Sequence, residues 1–395
     1  MNTAETVSTE PAPRAERDAV PLSVYVHLPW CVRKCPYCDF NSHRAPDTLP
    51  ETRYIEAVLA DWEIARADET RPIETIFFGG GTPSLFSAES IGRILAALDA
   101  GPGLATDCEI TLEANPGTTE HSRFADLRAA GVNRLSLGIQ SLDDHCLREL
   151  GRIHGARDAL NAIDDAQDAG FTALNCDLMY GLPGQTPASA MADVKQIVAR
   201  DPGHISYYQL TLEPNTPFHK HPPALPADDT VADIFEAGSQ RLTTAGYAQY
   251  EVSAWARDGA ICRHNDNYWR FGDYLAIGAG AHGKQTRADG TIERTARLRW
   301  PTGYMTAAGQ PAAITEHRTL TATDIRFECL LGALRRRDGL TRSDYEHRTG
   351  LDWSALLAHL SGAIDRGLLE VSPDRVRASE RGWYFLDTIL AELLP

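Results

Sequence analysis

No apolar run in the 395-residue chain approaches the length of a membrane span. The first twenty residues also lack the apolar stretch of a signal peptide. Ala, Pro, Thr, Glu and Arg dominate there, which predicts a disordered tail over residues 1–20. Positive charge is in deficit, with 38 Lys and Arg against 54 Asp and Glu and a net charge of −16. That balance argues against nucleic acid as a partner and against broad contact with anionic lipid. Cysteine is sparse: Cys31, Cys35, Cys38, Cys108, Cys146, Cys176, Cys262 and Cys329 complete the set. A secreted disulfide framework is shorter and denser in cysteine. The expected compartment is therefore the cytoplasm, with thiols available for metal. The chain has no internal repeat. Its 43% of hydrophobic and 23% of charged residues suit one large globular domain and a smaller one.

Strand-like and helix-like segments alternate through the first half of the chain. Leu22–Leu28, Ile73–Phe78, Glu109–Glu113, Val132–Ile139, Ala173–Leu178 and His204–Leu212 read as six strands. Residues 52–67, 119–130, 156–169 and 188–199 read as helices between them. Ile91, Ile94, Leu95 and Leu98 follow the spacing of one helix face. Repeated strand–helix units imply a parallel sheet with right-handed crossovers, an α/β fold. Six units suit an open or partial barrel, and pattern alone does not separate that from a doubly wound sheet. Further on, residues 226–246 look helical, 249–255 strand-like, and 262–284 rich in Gly, Asn and aromatics. From Asp324 onward the pattern is that of a small helical or winged module.

Chemistry is concentrated after the first strand, in Cys31-Val-Arg-Lys-Cys35-Pro-Tyr-Cys38. Three soft thiolates within eight residues select an iron–sulfur centre or zinc. Zinc would need a fourth ligand, for which His27 or His43 is in reach. Arg33 and Lys34 mark the run as a polar loop rather than buried core. Other unusual residues fall at strand ends: Gly79-Gly80-Gly81-Thr82-Pro83 after the second, Glu113, Asn115 and Pro116 at the third, and Gln140 and Ser141 at the fourth. Asp177 ends the fifth, and Thr211 and Glu213 the sixth. Each alone suits a turn or cap. In a parallel sheet or barrel, though, all carboxyl ends lie on one face, where ligands bind.

The C-x-x-x-C-x-x-C run after a first strand resembles the radical S-adenosylmethionine (SAM) superfamily. That resemblance implies a partial (βα)6 barrel over 21–285 with its extension and a HemN-type carboxyl-terminal domain over 286–395. It also implies a [4Fe–4S] cluster on Cys31, Cys35 and Cys38, with the fourth iron open to SAM. Tyr25, Gly80, Gly81, Thr82 and Glu113 match SAM contacts. Gln140, Arg152 and Asp177 match positions that touch SAM, or a second SAM, in the oxygen-independent coproporphyrinogen III dehydrogenase branch. Leu150-Gly-Arg152-Ile-His154 matches there as a block.

Within that branch, Cys262-Arg-His264-Asn265-Asp-Asn-Tyr268-Trp269 and Met179-Tyr-Gly-Leu-Pro-Gly-Gln-Thr186 resemble the haem-chaperone group HemW. Phe40 stands where the dehydrogenase has a further cysteine. The resemblance implies haem as cargo and acceptor haemoproteins as partners. A homodimer and peripheral membrane contact stay open. The alternative is the dehydrogenase itself, which turns two propionates into vinyl groups. His264, Asn265, Tyr268 and Trp269 are the candidate haem contacts, against the plainer reading of a hydrogen-bonded histidine with its neighbours packed beneath. Arg335, Arg336 and Arg337 read as an ordinary helix end before Gly339, or as contacts to haem propionates or a membrane surface.

Overall fold

Alternation along the first strand sets the architecture. In β1 (Leu22–Leu28), Leu22, Val24, Val26 and Leu28 are fully buried on one face, while Ser23, Tyr25 and His27 point to the other. The apolar face packs under helices and the polar face turns inward. The computed structural model describes residues 14–117 and 120–393, without the side chains of residues 120–122.

After β1 come the short β2 (Trp30–Cys31) and β3 (His43–Arg44), which pair with each other around the cysteine loop. The other expected strands follow as β4 (Ile73–Gly80), β5 (Leu104–Ala114), β6 (Arg134–Gln140), β7 (Ala173–Tyr180) and β8 (Gly203–Gln209). They run parallel in the order β1-β4-β5-β6-β7-β8, the partial barrel expected. The intervening helices start on local capping chemistry. Ser87 caps 88–100, and Thr186 with Ser189 forms a capping box before Pro187. Ile91, Ile94, Leu95 and Leu98 make the buried stripe of the 88–100 helix, as their spacing predicts. The third helix is Glu120–Ala129, and residue 119 of the expected segment lies outside the described residues.

The sheet is larger than the six strands. β9 (Ala248–Gln249) and β10 (Ala254–Ala256) extend it antiparallel beyond β8. Residues 262–284, rich in Gly, Asn and aromatics, are largely regular. They hold a helix, Arg263–Trp269, and β11 (Asp273–Ile277), which pairs parallel to the free edge of β1. β12 (His282–Thr286), β13 (Ile292–Arg297) and β14 (Ile314–Thr319) continue antiparallel, completing a twelve-stranded sheet. The expected division at 285/286 therefore falls inside β12. A second core gathers around Leu320, Ile325, Leu330, Leu334 and Trp353. There helices pack with β15 (Leu340–Thr341), β16 (Leu369–Ser372) and β17 (Arg375–Ala378).

The tail expected over 1–20 is corrected at its end. Residues 1–13 lie outside the described residues, but Ala15 and Val20 are buried and Arg17–Ala19 makes a short 3-10 turn. Partners distant in sequence hold it, which composition does not reveal: Ala15 N donates to Gly290 O, and Arg17 pairs with Glu69 at 2.9 Å.

The same region contains a buried ion cluster. Asp273, fully buried at the start of β11, meets Lys284 Nζ and Arg71 Nη1, each at 2.9 Å, and accepts from Thr286 N and Oγ1. The two cations hold its carboxyl below the usual range despite burial. Removing one partner of such a set strands a buried charge. Asp273→Asn should cost about 3–5 kcal/mol in chemical denaturation. A loss below about 1 kcal/mol, the scale of an exposed pair, would show that this cluster does not bind the added strands to β1.

Candidate functional site

The mouth is built from one close approach. Leaving β1, the chain passes over the end of β4, where Gly81 N donates to Leu28 O and Thr82 N to Trp30 O, both at 2.8 Å. A Cβ on Gly81 would stand 2.6 Å from Trp30 O. Gly80, at φ +113°, has no room beside the His27 ring, 2.5 Å from where its Cβ would be. Glycine is therefore required at both positions for Cys31 to reach this edge of the barrel. From Thr82 a chain of polar contacts leads back to the cysteine loop. Asn115 Nδ2 donates to Thr82 Oγ1 at 2.7 Å, and Arg152 Nη2 donates to Asn115 Oδ1 at 2.6 Å and Gly138 O at 2.7 Å. Arg152 Nη1 then lies 3.7 Å from Cys35 Sγ. An open cleft runs along this circuit, lined by Val32, Cys35, Thr82, Asn115, Arg152 and Ile153 among others.

Deeper in the mouth lie two carboxyls. Glu113 Oε2 accepts from Gly80 N at 3.1 Å, next to Tyr25. Burial first, and the charge of Asp177 second, push the Glu113 carboxyl up to about 8. Burial raises Asp177 as well, against hydrogen bonds from Asn175 and Ser206. Gln140 holds a left-handed backbone at φ 67° and accepts from Tyr208 Oη at 2.7 Å. Tyr25, Gly80, Gly81, Thr82, Glu113, Gln140, Arg152 and Asp177 are thus all brought to the carboxyl face of the barrel. In the sequence, Asn115 stood on this face without a role, and Tyr208 stood only as the first residue of the block Tyr208-Gln-Leu-Thr-Leu-Glu-Pro-Asn215, which resembles the family. The place of Tyr208 at the end of β8 was the available signal.

Beneath the carboxyls the barrel interior is polar. Asn175 uses all four of its hydrogen-bonding sites: it donates to Ser136 Oγ and Asp177 Oδ1, each at 2.8 Å, and accepts from His204 Nδ1 at 2.6 Å and Ser206 Oγ at 3.1 Å. His204 Nε2 accepts in turn from Tyr250 Oη at 2.8 Å. Ser136, Asn175 and His204 are register neighbours on β6, β7 and β8, so they share one face.

His264 belongs to the other end. It is 0% exposed, with Nδ1 2.8 Å from Thr75 Oγ1, Nε2 2.8 Å from Tyr268 Oη, and its ring stacked on Phe77. Thr75 and Ser23 stand at the amino-terminal ends of β4 and β1, opposite the cysteines. Both ring nitrogens are bonded within the protein and burial lowers the imidazole to about 3. The structure thus places His264 in the floor of the barrel rather than at an open surface. On the same helix Asn265 is half-buried, and Trp269 lies under the Arg335 guanidinium at 4.5 Å. Arg335 pairs with Glu251, Arg336 with Asp266, and Arg337 covers Trp383. The arginine run therefore fastens the carboxyl-terminal module to this floor.

The donor set discriminates between the two metal readings. His27 is spent, with Nδ1 3.0 Å from Tyr25 Oη and Nε2 3.0 Å from Asn41 O. His43 Nε2 donates to Asn41 Oδ1 at 3.2 Å. Cys31, Cys35 and Cys38 are half-buried on one loop, and the other five cysteines are buried elsewhere. Three soft ligands on one loop at the mouth, with His27 and His43 hydrogen-bonded elsewhere, fit a cluster that keeps one corner for a small molecule.

Comparison with known proteins agrees with this geometry. A family model described as the radical SAM superfamily matches residues 25–197, and one described as the HemN C-terminal domain matches 320–385. The Escherichia coli (strain K12) protein named heme chaperone HemW is 46% identical over 94% of this chain and 97% of its own. The Bos taurus protein named radical S-adenosyl methionine domain-containing protein 1, mitochondrial, is 37% identical over 97% and 89%. Among solved structures, coproporphyrinogen III oxidase (HemN) from Escherichia coli superposes with a TM-score of 0.80, covering 96% of this chain and 91% of that one, at 23% identity.

The carboxyl of Glu113 has a testable consequence. Its usual value of 4.5 is raised to about 8 in the fold. Stability from this group is fully present below 4.5 and lost as pH rises through 8. Glu113→Gln, neutral throughout, removes that loss. The thermal midpoint of the ligand-free variant, relative to the parent, should be higher at pH 9 than at pH 6. Equal offsets at the two pH values would contradict the raised carboxyl.

Proposed function

The chain belongs to the radical SAM superfamily and within it to the HemW family, and from that premise we propose that it is a haem chaperone. In this reading it binds haem, carries a [4Fe–4S] cluster and SAM, and delivers haem to acceptor haemoproteins in the cytoplasm. The observation that carries the reading is the near full-length likeness to the Escherichia coli relative of that name. Phe40 in the place of a further cysteine agrees with it. No described helix is long and apolar enough to cross a membrane.

A cluster on Cys31, Cys35 and Cys38, when bound, supplies an iron with an open position, a Lewis-acid and one-electron centre. The chain's own groups prepare the surroundings. The amides of Gly80, Gly81 and Thr82 are already committed, so the turn offers the SAM ammonium its carbonyl oxygens. Glu113 sits beside that turn as a neutral acid in the free fold and ionises when a cation arrives. Tyr25 closes the same corner against Glu113. Arg152, tied to Asn115 and Gly138, keeps a fixed positive charge between the cysteine loop and Asp177.

A second reading, oxidative decarboxylation of coproporphyrinogen III, is favoured by the gathering of Gln140, Arg152 and Asp177 at one mouth. The two are separated by assay. Anaerobically reconstituted full-length protein should hold haem through gel filtration, transfer it to an apo-haemoprotein, and release no carbon dioxide from coproporphyrinogen III. Cys31→Ser, Cys35→Ser or Cys38→Ser should each lose the brown cluster chromophore. Two carbon dioxide per porphyrinogen would establish the dehydrogenase instead. A cluster-loaded chain that binds no haem would end the chaperone reading.

A further inference from the structure

If His264 is sealed in the floor, cargo needs another surface. The cysteine loop provides one. Lys34 Nζ donates to Phe40 O at 3.0 Å and Ser42 O at 3.1 Å, closing the loop on itself. Asn41 Nδ2 then donates to Ala279 O and Arg299 O, each at 2.9 Å. That bridge is tight, because a Cβ on Gly280 would stand 2.3 Å from Asn41 Nδ2. It ties the residue after Phe40 to the residue before Trp300. Phe40 is 60% exposed and Trp300 71% exposed, the latter with its ring 5.1 Å from that of His43.

Two large aromatics turned to water on a rigid support are costly unless something covers them. The surrounding charge says what. On a chain of net charge −16, Lys34 holds the Phe40 carbonyl, Arg44 follows His43 and Arg299 precedes Trp300. Arg44 and Arg299 are exposed and have no carboxylate partner among the described residues. Asp39, also exposed, is the acid of the loop. Exposed aromatic rings with unpaired cations beside them in the chain complement a flat apolar molecule that carries carboxylates.

Resting on the chaperone reading, we propose that Phe40, His43 and Trp300 form the platform on which the haem macrocycle lies, with Arg44 and Arg299 receiving its propionates. The cargo then rests on the outer side of the same loop that carries Cys38. Phe40 thereby acquires a role. The residue that stands in place of a further cysteine is the one that faces the porphyrin.

The test uses hemin titrated into the full-length, cluster-loaded protein. Phe40→Ser with Trp300→Ala should weaken binding at least about tenfold, as loss of aromatic anchors does, with iron and sulfide content unchanged. Arg44→Glu with Arg299→Glu should weaken hemin but leave hemin dimethyl ester, which lacks the charges, at parental affinity. Parental hemin affinity in the aromatic double variant would overturn the platform and leave the chaperone reading standing. So would parental affinity combined with failed transfer to an apo-haemoprotein, which would make the surface a protein dock. A parent chain that binds no hemin would instead remove the chaperone reading, and this inference with it.

Discussion

The mouth of this barrel depends on the contact between the backbone of Pro29–Cys31 and the bare Cα of Gly81. Two amide hydrogen bonds hold it, from Gly81 and Thr82 to the carbonyls of Leu28 and Trp30. Any side chain at residue 81 would collide with the backbone of Pro29 and Trp30. Because the strands meet there, Thr82 reaches Asn115, Asn115 reaches Arg152, and Arg152 reaches Cys35. The circuit closes across three strands of the sheet. Three thiols on a loop are otherwise free to wander. Here the loop is pinned at Cys31 by the glycine turn, at Cys35 by Arg152 and after Cys38 by Asn41. Positioning of this kind is what a site needs to bind a group at fixed geometry.

The interior below supplies the electrostatics. Acids at the mouth are held toward neutrality by burial, and His27, His204 and His264 toward their uncharged forms by the same cause. Charge that does persist is paired, as in the Asp273 cluster under β1. Ser136, Asn175, His204 and Ser206 bond to one another across β6, β7 and β8, which keeps this part of the interior polar. The carboxyl-terminal module braces this arrangement from the far side. Its arginines grip Glu251, Asp266 and Trp269, and Tyr250, next to Glu251 in the large sheet's extension, donates a hydrogen bond to His204. Floor and mouth are thus connected through Asn175.

Much of this was legible in the sequence. The six parallel strands follow from hydrophobic runs at regular spacing. The mouth residues follow from their places at strand ends, because parallel strands leave one face for ligands. What was not legible has physical reasons. The Arg263–Trp269 helix has no apolar stripe; its buried face is His264, Asp266 and Asn267, which in sequence look like an exposed motif. β11 to β14 are short, β12 to β14 are largely polar, and the place of β11 beside β1 is supported by the Asp273 ion cluster, whose Arg71 is distant in sequence. Ala15 and Val20 sit in a stretch whose composition resembles a solvated tail. The module from Leu320 showed its helices but not what the arginine run holds.

The central claim is that the pinned cysteine loop holds a four-iron cluster with one corner reserved for SAM. Mössbauer spectroscopy of the anaerobically reconstituted full chain, before and after adding SAM, tests it most directly. One iron in four should change its isomer shift and quadrupole splitting on addition, while the other three keep theirs. Four irons that stay unchanged, or a protein that takes up zinc and no iron, would contradict the account.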